Sequence, residues 1–226
     1  VKAAMVSRAL RKKKIKEILV HTGQHFDKNM SELFFSELKL KSPNHNLGIS
    51  SLSHGKMTGL MLDKLEELMI RTKPDLVIVY GDTNSTAAGA LAAAKLHIPI
   101  AHVEAGMRSF DRRMPEEVNR VVTDHLSSLH FCSTNSAIEN LANEGIKKGV
   151  YKTGDIMYDC YRYINSLIKG PILHDHGDFY LATIHRAANT DDKKKLQNIF
   201  EGFARLCRPV VFPIHPRTKT KVTEYN

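Results

Sequence analysis

The sequence predicts an α/β fold built on parallel strands, and three observations carry that expectation. Two short apolar runs, residues 76–80 and 98–103, flank a helix-length stretch of small residues at 84–97. Runs of this kind lack polar alternation, as strands buried on both faces do. Each run then breaks into glycine and acid, Gly81-Asp82-Thr83 and Glu104-Ala105-Gly106. The carboxylates of Asp82 and Glu104 therefore fall just past the carboxyl ends of two strands, the edge where open α/β sheets bind ligands. Finally, strand-length and helix-length segments keep alternating toward the carboxyl terminus, the pattern of βαβ units.

In chain order, residues 1–13 read as a helix with Met5, Val6, Ala9 and Leu10 on one stripe and basic residues at its end. No strand and no glycine-rich turn precede it, so the first strand of the domain is expected to be missing. Residues 15–20 read as a strand ending at His21-Thr22-Gly23-Gln24-His25, followed by a helix to Leu40 and a loop over 43–53. Residues 55–72 form a long amphipathic helix with Met57, Leu60, Met61, Leu65 and Leu68 on its face, a methionine-rich stripe of core-filling type.

The helix at 84–97 carries almost no charge and should lie buried against the sheet. Residues 105–114 lack periodicity and read as an arginine-rich loop, and Pro115 suits the first turn of a helix to about Ser128. A strand at 129–132, a helix at 134–144 closed by Gly145, a strand at 150–153 and a helix at 155–168 complete the unit. A polar stretch to Gly177 serves as a hinge. A second βαβ unit then begins, with a strand at 179–184, a helix at 191–207 and a strand at 210–214. One βαβ unit cannot bury both faces of its sheet. The expected domains are thus residues 1–168, lacking a first strand, and residues 169–226, the start of a second domain whose greater part is missing.

Composition narrows the function. The chain has 226 residues and a formal charge of +9. Its lysines and arginines are scattered over helix faces and loop ends without an aromatic-studded basic module, so no nucleic-acid partner is expected. The positive potential instead favours an anionic substrate. Three widely separated cysteines, Cys132, Cys160 and Cys207, offer no zinc spacing and fit a reducing, cytoplasmic compartment. No run is long enough to span a bilayer and no signal peptide is read, so no membrane partner is expected. With neither GxGxxG nor a Walker loop, a dinucleotide or P-loop enzyme is unsupported, and neither a cofactor nor a metal is expected.

The residues after the strands are Gln24-His25, Asp82, Glu104, Asp155, His185-Arg186 and His215-Pro216-Arg217, polar or ionisable throughout. A second acidic pair, Glu116-Glu117, follows Pro115. A cleft lined by Asp, Glu and His suits proton transfer, and neighbouring carboxylates can divide acid and base roles. Arg108, Arg112, Arg113 and Arg120 lie near the same rim, with Arg186 and Arg217 on the second unit; arginine forks recognise phosphates and carboxylates. Asn84-Ser85 at a helix start either caps the helix or binds ligand.

These segments, in this order, resemble one family. Gly81-Asp82-Thr83, the run from His102 through Glu104 to Arg108, the run Pro115-Glu116-Glu117-Val118-Asn119-Arg120, and His185-Arg186 are similar to the motifs of the UDP-N-acetylglucosamine 2-epimerase family. His21 to His25, Gly154-Asp155 and Pro213-Ile214-His215-Pro216 extend the match over essentially the entire chain. The resemblance implies two Rossmann-like domains arranged as in GT-B nucleotide-sugar enzymes, no redox cofactor, and a homodimer. It implies inversion at C2 of a UDP-linked 2-acetamido sugar: the C2 proton leaves, UDP departs by anti elimination to a 2-acetamidoglucal, and UDP adds back with protonation on the other face. The implied catalytic residues are Asp82, Glu104, Glu116 and His185, with no single base assigned among the carboxylates. Gln24, His25, Arg108, Arg113, Arg120, Arg186, His215 and Arg217 stand as substrate-binding candidates. The stretches around His21 to Asp27 and Arg108 to Glu117 are closer to the branch acting on UDP-2,3-diacetamido uronic acids, so that substrate stands beside UDP-GlcNAc. Ala188 replaces the glutamate usual after His-Arg, and Asp27 and Leu60 replace the residues of the bacterial allosteric site. The other readings are a hydrolysing 2-epimerase releasing UDP and ManNAc, a GT-B glycosyltransferase, and an inactive UDP-sugar-binding fragment.

Overall fold

The computed structural model describes residues 1–24, 37–168 and 177–225. The chain divides into two compact units, Val1–Ile168 and Lys169–Asn226.

The first unit is centred on a four-stranded parallel sheet in the order β3 (Val77–Tyr80), β4 (Ile100–Ala105), β5 (Leu129–Cys132), β6 (Val150–Lys152). Around it, in chain order, run α1 (Lys2–Lys12), α2 (His54–Thr72), α3 (Asn84–Lys95), α4 (Pro115–Leu126), α5 (Asn135–Asn143) and α6 (Ile156–Leu167). The core is built by α2 and α3 against the sheet: Met61, Leu65 and Met69 meet Ala88, Ala90, Ala92 and Ala93, with Val79 and Ile100 beneath. Alanine and glycine in α3 permit that close approach, since a side chain at Gly89 would meet Val79 Cγ1 at 3.3 Å. Thr83 caps α3 by accepting from the Thr86 amide, so the cap falls one residue before Asn84-Ser85. Thr134 and Asp155 cap α5 and α6 in the same way.

Several expected elements are corrected. The strand expected at 15–20 survives only as β1 (Val20–His21), which pairs in parallel with β2 (His45–Asn46) in a separate two-stranded sheet. Ile15 and Ile18 are exposed, because Lys16 and Glu17 interrupt the run and no strand pairs with it among the described residues. β2 lies inside the expected loop and has no apolar run to announce it; the Leu19 amide donates to Asn44 Oδ1 there. On α1 the buried residues are Ala4 and Ser7, while Ala9, expected on the inner stripe, is exposed. Most of the helix expected up to Leu40 lies outside the described residues.

The second unit holds β7 (Tyr180–Leu181) paired in parallel with β8 (Val210–Val211). Its helices are α7 (Ala187–Thr190), α8 (Lys193–Ala204) and α9 (Pro216–Tyr225). Phe200, Phe203 and Phe212 pack edge-on to one another. The strands are shorter than the expected 179–184 and 210–214, and α7 and α9 extend beyond the βαβ pattern.

Candidate active site

Asp82 and Glu104 occupy one edge of the sheet because their strands are neighbours in register, with Tyr80 opposite Val103. The chain leaving β3 stays against β4, since the Gly81 amide donates to the Val103 carbonyl at 3.0 Å. Glu104 sits where the pairing of β4 with β5 shifts between Val103 and Ala105. Its φ is +72°, a left-handed backbone for a residue with a long side chain. Bulges that re-aim a side chain and strained residues of this kind cluster at functional sites.

Each carboxylate has a cationic partner. Asp82 Oδ2 pairs with Arg120 Nη2 at 2.7 Å, and the Arg120 side chain is 11% exposed with its Nε buried and unpaired. Glu104 Oε2 accepts from the ammonium of Lys2, on α1. Asn119 Nδ2 donates to the Asp82 carbonyl and to Asn84 Oδ1, fixing α4 against the turn after β3. Glu116 lies one turn before Arg120 on the same side of α4 and is exposed. Asp82, Glu104, Arg120 and Lys2 are thus brought together, with Glu116 on the helix that delivers Arg120.

A cavity of about 240 Å³ opens at the same edge, lined by Val6, Glu104, Phe131, Ser133, Asp155 and Asp159 among others. Asp155 also accepts from the Met157 amide at 2.8 Å, holding the start of α6.

The other expected residues lie elsewhere, several of them held by partners within the chain. Arg108, expected to bind substrate, has a side chain 1% exposed and bound by Asp124, Glu144 and the Met107 carbonyl. Burial alone would weaken its charge, but Glu144 and Asp124 outweigh that and raise its pKa. Gln24 is likewise used internally, its Oε1 accepting from the amide and hydroxyl of Ser85 at the start of α3. Arg113 is 91% exposed and pairs with Asp111 two residues away. His25 lies outside the described residues. In the second unit, His185 and His215 stack with centroids 5.3 Å apart. Arg186 is exposed and precedes α7. Arg217, expected to hold substrate, is held by both oxygens of Asp191 and by Thr190 Oγ1.

Sequence reasoning missed Lys2, whose place on α1 carries no motif, and the fully buried pair His102 and Asp124. A histidine inside an otherwise apolar, doubly covered strand is the overlooked signal for the second.

Residues 8–226 match the family profile described as UDP-N-acetylglucosamine 2-epimerase. A UDP-N-acetylglucosamine 2-epimerase homolog of Methanococcus maripaludis is 51% identical over 232 residues, covering 100% of this chain and 65% of its own length. The UDP-2,3-diacetamido-2,3-dideoxy-D-glucuronate 2-epimerase of Pseudomonas aeruginosa is 50% identical over 227 residues, covering 97% of this chain and 64% of its own. Among solved structures, the Methanocaldococcus jannaschii UDP-GlcNAc 2-epimerase in complex with UDP-GlcNAc and UDP superposes with a TM-score of 0.84 at 42% identity, covering 100% of this chain and 65% of that one. The chain therefore spans just under two thirds of the length of these relatives.

Proposed function

The chain belongs to the UDP-N-acetylglucosamine 2-epimerase family, and on that premise we propose that it carries the proton-transfer half of a non-hydrolysing nucleotide-sugar 2-epimerase. The observation that supports this most is the pairing of Asp82 and Glu104 at the ends of adjacent strands, each beside a cation. Abstraction of the C2 proton needs a carboxylate within bonding reach, and return of a proton to the opposite face needs a second acid. Asp82, Glu104 and Glu116 supply three carboxyl groups for two tasks. Lys2 and Arg120 supply positive charge where negative charge gathers as the diphosphate departs. His185, Arg186 and His215 are assigned to the nucleotide.

The substrate class is a UDP-linked 2-acetamido sugar. UDP-GlcNAc and a 2,3-diacetamido uronate are both in scope, since the relatives named for the two are 51% and 50% identical to this chain. The same reading carries a homodimer in the cytoplasm.

The test is incubation with each UDP-sugar in deuterium oxide. Deuterium at C2 of the recovered sugar supports epimerisation by proton exchange, and retention of protium there rejects it. Glu104→Gln removes the charge of a half-buried side chain whose partner is Lys2 on α1, and the amide oxygen can still accept from that ammonium. Exchange should fall by about 10²- to 10⁴-fold with circular dichroism unchanged. Unaltered exchange would remove Glu104 from the mechanism. Release of free UDP and sugar would indicate the hydrolysing reaction instead.

A further inference from the structure

We infer that His102 is a buried imidazolium that, with Asp124 as its counter-ion, fixes the two turns bearing Asp82 and Glu104 relative to each other. His102 stands on β4 with its side chain fully buried. Its Nδ1 lies 2.7 Å from Asp124 Oδ1, and its Nε2 lies 2.8 Å from the Gly81 carbonyl oxygen. A carboxylate and a carbonyl are both acceptors. Each ring nitrogen must therefore carry hydrogen, which makes the ring a cation.

Asp124 is the acceptor in this pair. Its other oxygen takes the Gly106 amide at 3.1 Å and Arg108 Nη1 at 2.7 Å. Burial alone would favour its neutral form, but His102 and Arg108 hold its pKa below the usual carboxylate range. The surrounding charges balance: His102 and Arg108 against Asp124 and Glu144. His130 adds a hydrogen bond from Nε2 to the Asp124 carbonyl at 2.8 Å. A neutral ring would leave one acceptor facing another in a dry site, a costly arrangement.

The consequence is positional. Gly81, at φ +66°, has its amide on the Val103 carbonyl and its carbonyl on His102, so both its polar groups are held by β4. Asp82 is the next residue. Gly106, whose amide Asp124 holds, follows Glu104 by two. One buried carboxylate thus ties down both turns that present the candidate catalytic acids. His102 and Asp124 are positioning residues; their role in turnover rests on the proposed epimerase reading, while the charge state does not.

The charge state is tested by NMR on the whole chain with ¹⁵N-labelled histidine at neutral pH. One ring should show hydrogen on both nitrogens, assigned by its coupling across the hydrogen bond to the Gly81 carbonyl. That assignment needs no variant that has to fold. A ring with one bare nitrogen there overturns the inference. His102→Gln keeps an amide donor toward Gly81 but loses the charge. In it, kcat for C2 exchange should drop by about 100-fold while KM stays within about twofold; an unchanged kcat overturns the positioning role. If the wild-type chain exchanges nothing, the proposed function fails on its own account. Positioning is then read from the Arg120 guanidinium, whose slowly rotating signals report its pair with Asp82. Their loss in His102→Gln supports the role and their persistence rejects it.

Discussion

A helix turns by about 100° per residue, so the adjacent carboxylates of Glu116 and Glu117 leave α4 in different directions. Glu117 is buried and accepts from the Ser109 amide and hydroxyl and from the Phe110 amide. Burial alone would raise its pKa, but these bonds and nearby Arg108 hold it below the ordinary glutamate value. Glu116 is exposed at the helix start. The two should therefore fail in opposite ways. Glu117→Ala unties the loop before α4 and should cost about 2–4 kcal/mol in urea unfolding. Glu116→Ala should leave stability within about 0.5 kcal/mol yet lower C2 exchange by about 10²-fold. An equal stability loss in both variants would contradict this division. Composition and spacing counted the two as one acidic pair; only the phase of the helix separates them.

That phase was hard to read because α4 is built inside out. Its buried residues are Glu117, Thr123 and Asp124, while Val118 and Val122 are 45% and 42% exposed. A search for an apolar inner stripe selects the wrong face. The central strands were legible for the opposite reason: covered on both sides, residues 76–80, 98–103 and 129–132 are apolar runs and fold close to their expected bounds. β2, with a histidine and an asparagine, gives no such signal. Asp82 and Glu104 were legible as strand-end acids, whereas the burial of Arg108 was not, because a buried arginine and a ligand-binding one look alike in sequence. The position of α5 depends on another feature invisible to periodicity. Gly106 has φ +76°, and a Cβ there would stand 2.3 Å from the Ala137 carbonyl oxygen on α5. Gly106→Ala must displace the helix or the strand end, and it adopts a backbone that alanine disfavours. A loss of at least about 2 kcal/mol is expected, with Asn140 losing its bond to the Gly106 carbonyl. Full stability in the alanine variant would show that α5 is free to move.

Across the first unit as a whole, the polar interior sets the response to acid. Asp124 and Glu117 both have folded pKa values below their ordinary ones of 3.8 and 4.5. A carboxylate depressed on folding releases its proton more readily in the native state, so the unfolded chain binds more protons as pH falls. The stability these groups contribute is complete above pH 4.5 and is lost progressively as pH falls through their folded values. The exposed pair of Asp191 with Arg217 in the second unit shares the sign but is screened by solvent and salt. Hydrogen exchange at the amides of β4 and β5 isolates the first unit and should show protection falling as pH drops below about 5. Asp124→Asn separates the causes. It leaves His102 and the buried charge of Arg108 without their shared carboxylate, so it should cost about 3–5 kcal/mol at pH 7. Asparagine does not titrate, so the gap between variant and wild type should narrow as acid removes the wild-type advantage. A gap that stayed constant down to pH 3 would mean that Asp124 does not govern the acid limb.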